Sequence, residues 1–174
     1  MSKEKPVIIY IVEDNKVFTI ALKADIETAF KYLPLKIFSF ETGETCFEKF
    51  KEQKADVIIL DYHLNSRYPD AADGIQVLDW VKKENPEVNV IMLTSDDNIE
   101  IALKSFKHGA VDYVVKSETK FRKINYSLSH LFNVMEARKE AKKYKRMVVT
   151  VFVWIGLLLA LTAAIKVFYP DLLS

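Results

Sequence analysis

"VIILDYHL", residues 57–64, decides how the chain is read. Four apolar residues run straight into Asp61. A short apolar run without alternation describes a strand buried on both faces, as at the centre of a parallel sheet. In open parallel sheets, ligands gather outside the carboxyl ends of the strands. The strand therefore carries a carboxylate to the edge where a ligand site forms.

The same pattern recurs outward in both directions. "VIIYIV" (7–12) and "VNVIMLT" (88–94) are further apolar strands, "LKIFSF" (35–40) alternates, and "VDYVV" (111–115) is the last strand, with "DVIIL" (56–60) in the middle. Helical spacing fills the gaps. Residues 15–33 place Val17, Ile20, Ala21, Ala24 and Phe30 at that spacing, and residues 42–53 set Phe47 and Phe50 three apart. Residues 74–85 put Ile75, Leu78 and Val81 on one face before Pro86. Residues 97–109 group Ile99, Ala102, Leu103 and Phe106 and stop at Gly109. Ser117 can cap a last helix bearing Phe121, Ile124, Leu128, Leu131 and Met135. That stripe reads as a core-facing side, with a coiled coil as the alternative.

Alternation of this kind is (βα)5, an α/β doubly wound parallel sheet. Right-handed crossovers leave few topologies, and five strands suit the flavodoxin-like order 2-1-3-4-5. In that order strands 1, 3 and 4 share a crevice. The first strand ends in Glu13 and Asp14, the third in Asp61, the fourth in Thr94 and Ser95, the fifth in Lys116. Three carboxylates together repel and raise one another's pKa. A hard cation resolves the repulsion, and an oxygen site with room for water suits Mg²⁺. A hydroxyl and an ammonium beside it suit a phosphoryl group, with Asp61 as a candidate nucleophile of the carboxylate class that forms aspartyl phosphates.

"VEDN", "VIILDYHL", "LTS" and "VVKS" together resemble the receiver domain of bacterial two-component response regulators, over about residues 5–137. The resemblance implies phosphorylation of Asp61, with Thr94 and Lys116 contacting the phosphoryl group. It implies Mg²⁺ bound by Asp14, Asp61 and the backbone carbonyl of His63, with Glu13 acting mainly through water. It also implies that Tyr113 turns inward when Thr94 moves toward the phosphate. Two places depart from the family pattern. "DYHLNSRYPDAADG" is longer than usual before Gly74. This enlarged loop (65–73) is expected to tune access, or to bring Asp70 and Asp73 near the metal. Ser117 stands where the family often has a cis proline. The His63 side chain reads as a loop residue, with an effect on phosphate lifetime as a second reading. His108 and His130 fall on separate helices, and Cys46 reads as core.

The formal net charge is +1, so nothing global points to nucleic acid, and the single cysteine excludes an intramolecular disulfide. The N-terminal apolar run is too short for a signal-peptide core. The end of the chain is different. "MVVTVFVWIGLLLALTAAI", residues 147–165, carries no charge. As a helix it spans roughly 28 Å, close to the ~30 Å of a bilayer core. "RKEAKKYKR" (138–146) precedes it and marks the cytoplasmic side. Lys166 and Tyr169 suit the far interface. The expected organisation is a receiver domain (5–137), a basic juxtamembrane segment (138–146), a single C-terminal transmembrane helix (147–168) and a short tail (169–174). No glycine or proline lies between Gly109 and Gly156, so the last helix is expected to run on into the span. Gly156, Ala160 and Ala164 make a small-residue face that leaves a homodimer open.

The expected function is that of a membrane-anchored response regulator with its receiver on the cytoplasmic side of the cell membrane. It takes a phosphoryl group from a sensor histidine kinase or a histidine phosphotransfer protein and signals to a membrane-proximal partner by protein–protein contact. It is not expected to be an enzyme acting on other molecules. A phosphorylation-independent binding module is the main alternative. A phospho-aspartate phosphatase is the weaker one, because such hydrolases usually carry a second Asp where His63 stands.

Overall fold

The computed structural model describes residues 5–64, 71–95 and 97–168, with side chains through residue 158. The chain divides into two compact units, Met1–Ser129 and His130–Ser174. In the first, strands β1 (Val7–Val12), β2 (Leu35–Phe40), β3 (Val57–Asp61), β4 (Asn89–Thr94) and β5 (Asp112–Val115) alternate with helices α1 (Lys16–Ala29), α2 (Gly43–Glu52), α3 (Gly74–Glu84) and α4 (Ile99–Lys107). Helix α5 (Lys120–Phe168) follows. The sheet is parallel throughout and ordered β2-β1-β3-β4-β5, the order the alternating pattern predicts.

Every residue of β3 is buried, and β1 and β4 are buried from their second residue on, which is why these segments read as unbroken apolar runs. Side chains alternate across the sheet. Tyr10, Ile58, Leu60 and Met92 join Phe50 of α2 and Leu78 and Val81 of α3 in one cluster. Ile9, Ile11 and Ile59 lie on the opposite side and are equally buried, as are Leu22 and Ile26 of α1 and Ile124 and Leu128 of α5. Each such side chain contributes roughly 1.5–3 kcal/mol of transfer free energy. Helices α1 and α5 are tied by Asn125 donating to Asp25 at 2.7 Å and by the Phe18–Phe121 ring contact.

Helix starts follow the capping residues. Asn15 accepts from the Phe18 amide, Thr42 from Thr45, and Asn98 from Glu100. Asp73 and Gln76 form a reciprocal capping box at α3. That box settles half of the loop expectation. The Asp73 side chain is engaged at a helix start, while Asp70, with the rest of 65–70, lies outside the described residues.

Two helix faces differ from the sequence reading. On α1, Val17 and Ile20 are 78% and 70% exposed, and the buried residues are Thr19, Leu22 and Ile26. Both sets have helical spacing, so periodicity alone does not choose between them. On α4, Ile99, Leu103 and Phe106 do share a face, but that face is open to solvent and only Ser105 is buried. The Phe121–Met135 stripe, by contrast, is core-facing at Ile124 and Leu128.

Among the described residues no helix is long and apolar enough to cross a membrane. The apolar run 147–165 is described with side chains only as far as Leu158, and the tail 169–174 lies outside the described residues.

Candidate metal and phosphoryl site at the strand ends

Strand register brings the candidate residues level. Val12 pairs with Leu60, so Glu13 and Asp61 lie side by side. Asp61 pairs with Leu93 and Thr94 with Val115, which places Thr94 and Lys116 at the same edge. The Lys116 amide donates to the Thr94 carbonyl and the Ser117 amide to the Val115 carbonyl, both at 2.7 Å. The second of these bonds closes a three-residue turn around Lys116. No cis peptide bond occurs among the described residues, so the Ser117 position is trans.

The Lys116 ammonium meets Glu13 Oε2 at 2.6 Å and Asp61 Oδ2 at 2.9 Å, bridging both carboxylates. Both acids are 2% exposed, and Thr94 is fully buried. Glu13, Asp14 and Asp61 each offer a carboxylate oxygen within 4.8 Å of the others. Burial pushes the Glu13 carboxyl up to about 7, reinforced by the Asp61 charge and only partly offset by Lys116. Burial disfavours the Lys116 ammonium, but Asp61 and Glu13 outweigh it and raise its pKa. Asp61 Oδ1 is buried without a hydrogen-bond partner among the described residues. A buried carboxylate oxygen left unmatched is costly. Three acids against one lysine, with one buried oxygen unmatched, fit a hard divalent cation.

His63 lies two residues past Asp61 in the turn, half-buried, with its ring edge-on to Tyr62. Tyr113 on β5 is half-buried and packs against the core cluster. The structure thus gathers Glu13, Asp14, Asp61, Thr94 and Lys116 at one edge, with His63 in the adjoining turn and Tyr113 on the neighbouring strand.

Three supporting residues escaped the sequence reading. The Asn15 amide donates to Glu13 Oε1 at 3.2 Å, so the α1 cap also steadies the acid pair. The Phe18 ring lies 5.2 Å below the Lys116 ammonium, a cation–π contact. Gly74 donates its amide to the Tyr62 carbonyl, and a Cβ there would stand 2.3 Å from the Asp61 carbonyl oxygen. Asn15 had a sequence signal as a capping residue directly after two acids, and Gly74 as the glycine that closes the Asp61 loop in the resembled family, while Phe18 had none.

A parallel sheet ordered 2-1-3-4-5 is the flavodoxin-like α/β arrangement, and here the carboxyl ends of its strands carry an acidic cluster capped by a lysine. Residues 9–125 match the family described as response regulator receiver domain, and the chain belongs to that family. Receiver domains bind Mg²⁺ at an acidic pocket and interact with histidine kinases or phosphotransfer proteins. Here the acidic pocket is the Glu13, Asp14 and Asp61 cluster. Among curated relatives, the luminescence regulatory protein LuxO of Vibrio campbellii is 35% identical over 75 residues, covering 43% of this chain and 16% of that protein. The chain therefore spans only a small part of that relative's length. A CheY-like receiver domain from Methanospirillum hungatei superposes with a TM-score of 0.66 at 20% identity, covering 77% of this chain and 99% of its own. The signal receiver domain of a putative LuxO repressor protein from Vibrio parahaemolyticus gives 0.63 at 26% identity, with 77% and 96% coverage.

Proposed function

We propose that this chain is a membrane-anchored phosphoacceptor, taking a phosphoryl group on Asp61 from a histidine kinase or phosphotransfer protein. The observation that carries the reading is the Lys116 ammonium bridging Glu13 and Asp61 beside a buried Asp61 oxygen that no donor among the described residues satisfies. In the transfer, an Asp61 carboxylate oxygen forms the new P–O bond as the P–N bond of the donor phosphohistidine breaks, and the donor imidazole leaves with the electron pair. Asp14, Asp61 and the His63 carbonyl would hold Mg²⁺, with Glu13 behind them. When bound, the ion supplies positive charge to the phosphoryl oxygens. Lys116 would supply a second positive charge, and the Thr94 hydroxyl would donate a hydrogen bond.

The readout would pass from Thr94 to Tyr113 and on to the face of α4, β5 and α5. The solvent-facing Ile99, Leu103 and Phe106 supply apolar contact area there for a partner. The membrane part rests on sequence chemistry. The charge-free run 147–165 follows a basic segment and is helical throughout, with apolar side chains facing outward from Met147 to Leu158. That arrangement supports a single span with the receiver on the cytoplasmic side.

The test uses the full chain in detergent with Mg²⁺ and acetyl phosphate, read by intact mass. The expected result is one phosphoryl adduct, absent in Asp61→Asn and without Mg²⁺. No adduct on the wild-type chain, together with no Mg²⁺-dependent response to a beryllium fluoride mimic, would reject the phosphoacceptor reading.

A further inference from the structure

The apolar stripe that starts at Phe121 on α5 does not continue past Met135. Its next positions at steps of three and four are Arg138, Lys142 and Lys145, all basic. A different apolar stripe starts where the first one stops. In heptad terms its a positions are Val134, Ala141, Val148 and Ile155. Its d positions are Ala137, Tyr144, Val151 and Leu158. The stripe holds the three-four alternation without a break and spans roughly 36 Å of helix at 1.5 Å per residue.

This stripe lies wholly within the second compact unit, His130–Ser174, where α5 is the only helix among the described residues. Tyr144, Val151, Ile155 and Leu158 are exposed there. The charges are sorted around it. Arg138 and Lys145 fall at e, Lys139 and Arg146 at f, Lys142 at b and Lys143 at c, so no cation enters the seam. Glu140 falls at g, five residues before Lys145 at e. That is the spacing at which g of one helix meets e of a parallel partner.

We propose that a second copy of this chain packs in parallel along α5, with Val134 to Leu158 as the seam and Glu140 paired with Lys145 of the second copy. Three of the four a positions hold valine or isoleucine, the β-branched residues that favour two parallel strands at that position. Antiparallel pairing would set e against e and bring Arg138 and Lys145 together as like charges. The seam also suits the proposed anchor, because a single span gives both copies the same direction. Below Met147 the same stripe turns inward, leaving Phe152, Trp154 and Leu157 to face lipid.

The test measures association of the full chain in detergent by sedimentation equilibrium, which does not involve Asp61 and so stands apart from the phosphoacceptor test. Glu140→Lys alone and Lys145→Glu alone should each weaken the dimer on the order of tenfold, through two symmetric contacts per dimer. The double exchange should return it to within about threefold of wild type. In a Cys46→Ala background, Ala141→Cys and Tyr144→Cys should crosslink between copies, while Lys142→Cys and Lys143→Cys should not. A monomeric wild-type chain, charge variants indistinguishable from wild type, or crosslinking equal on both faces would overturn the proposal. So would association that ignores both charges and disappears only in Gly156→Ile.

Discussion

Glu13 carries a carboxyl pushed up to about 7, first by burial and then by the Asp61 charge beside it. In the unfolded chain the same group titrates near its ordinary 4.5. Between those values the folded state holds a proton that the unfolded state has lost. Stability of the metal-free protein therefore falls as pH rises from about 4.5 through about 7, by up to about 3 kcal/mol from this one group. Urea unfolding in EDTA should show the decline, and Glu13→Gln should flatten it. Lys116 adds nothing to that slope, because it titrates above the window. Its raised pKa keeps it charged across that window, and it stands between two buried carboxylates. Lys116→Met leaves those charges facing each other and should lower metal-free stability by about 3 kcal/mol at pH 8. Millimolar Mg²⁺ should recover part of that loss, read from the shift in urea midpoint. Glu13, Asp14, Asp61 and Lys116 were legible in the sequence because each ends an apolar strand. Phe18 was not, because its place under the Lys116 ammonium arises only when α1 and β5 meet.

At the scale of elements, β3 and the turn after it are held by a close approach that only glycine permits. A Cβ at Gly74 would lie 2.3 Å from the Asp61 carbonyl oxygen and 2.7 Å from the Tyr62 Cα. Both neighbours are backbone, so relief requires moving the strand end that carries Asp61. Gly74→Ala is expected to cost about 1–3 kcal/mol and to slow phosphorylation of Asp61 by acetyl phosphate. Gly43 makes a useful contrast. Its Cβ would run into a Val77 methyl at 2.1 Å, which joins α2 to α3 away from the site. Gly43→Ala should lower the urea midpoint while leaving the phosphorylation rate per folded molecule unchanged. The strands were readable to within a residue because burial on both faces leaves unbroken apolar runs. The helix faces were less so. Helix α1 offers two competing stripes, and burial selects the one through Leu22 and Ile26. On α4 the apolar face is regular yet uncovered, and no pattern within a single helix tells covered from open.

Over the whole molecule, the two compact units make different demands on solvent. In the first unit, Ile124 and Leu128 of α5 are fully buried, so the receiver needs the start of α5 to complete its core. A fragment ending at residue 118 should fail to fold, while one ending at residue 137 should give a cooperative urea transition. In the second unit, Val151, Phe152, Val153, Trp154, Ile155 and Leu157 point outward around the whole helix. Pairing with one other helix covers a stripe of such a surface and leaves the rest exposed, and on the proposed anchor hydrocarbon would cover the remainder. Attachment by the basic segment alone would be electrostatic and screened by salt. Attachment through the apolar run is insensitive to salt. Membranes carrying the full chain should therefore retain it through 1 M salt and alkaline carbonate washes, releasing it only to detergent. The fragment 1–146 keeps every basic residue of the segment and should wash off in salt. Release of the full chain by salt alone would remove the anchor and leave the basic face as its only hold on the membrane.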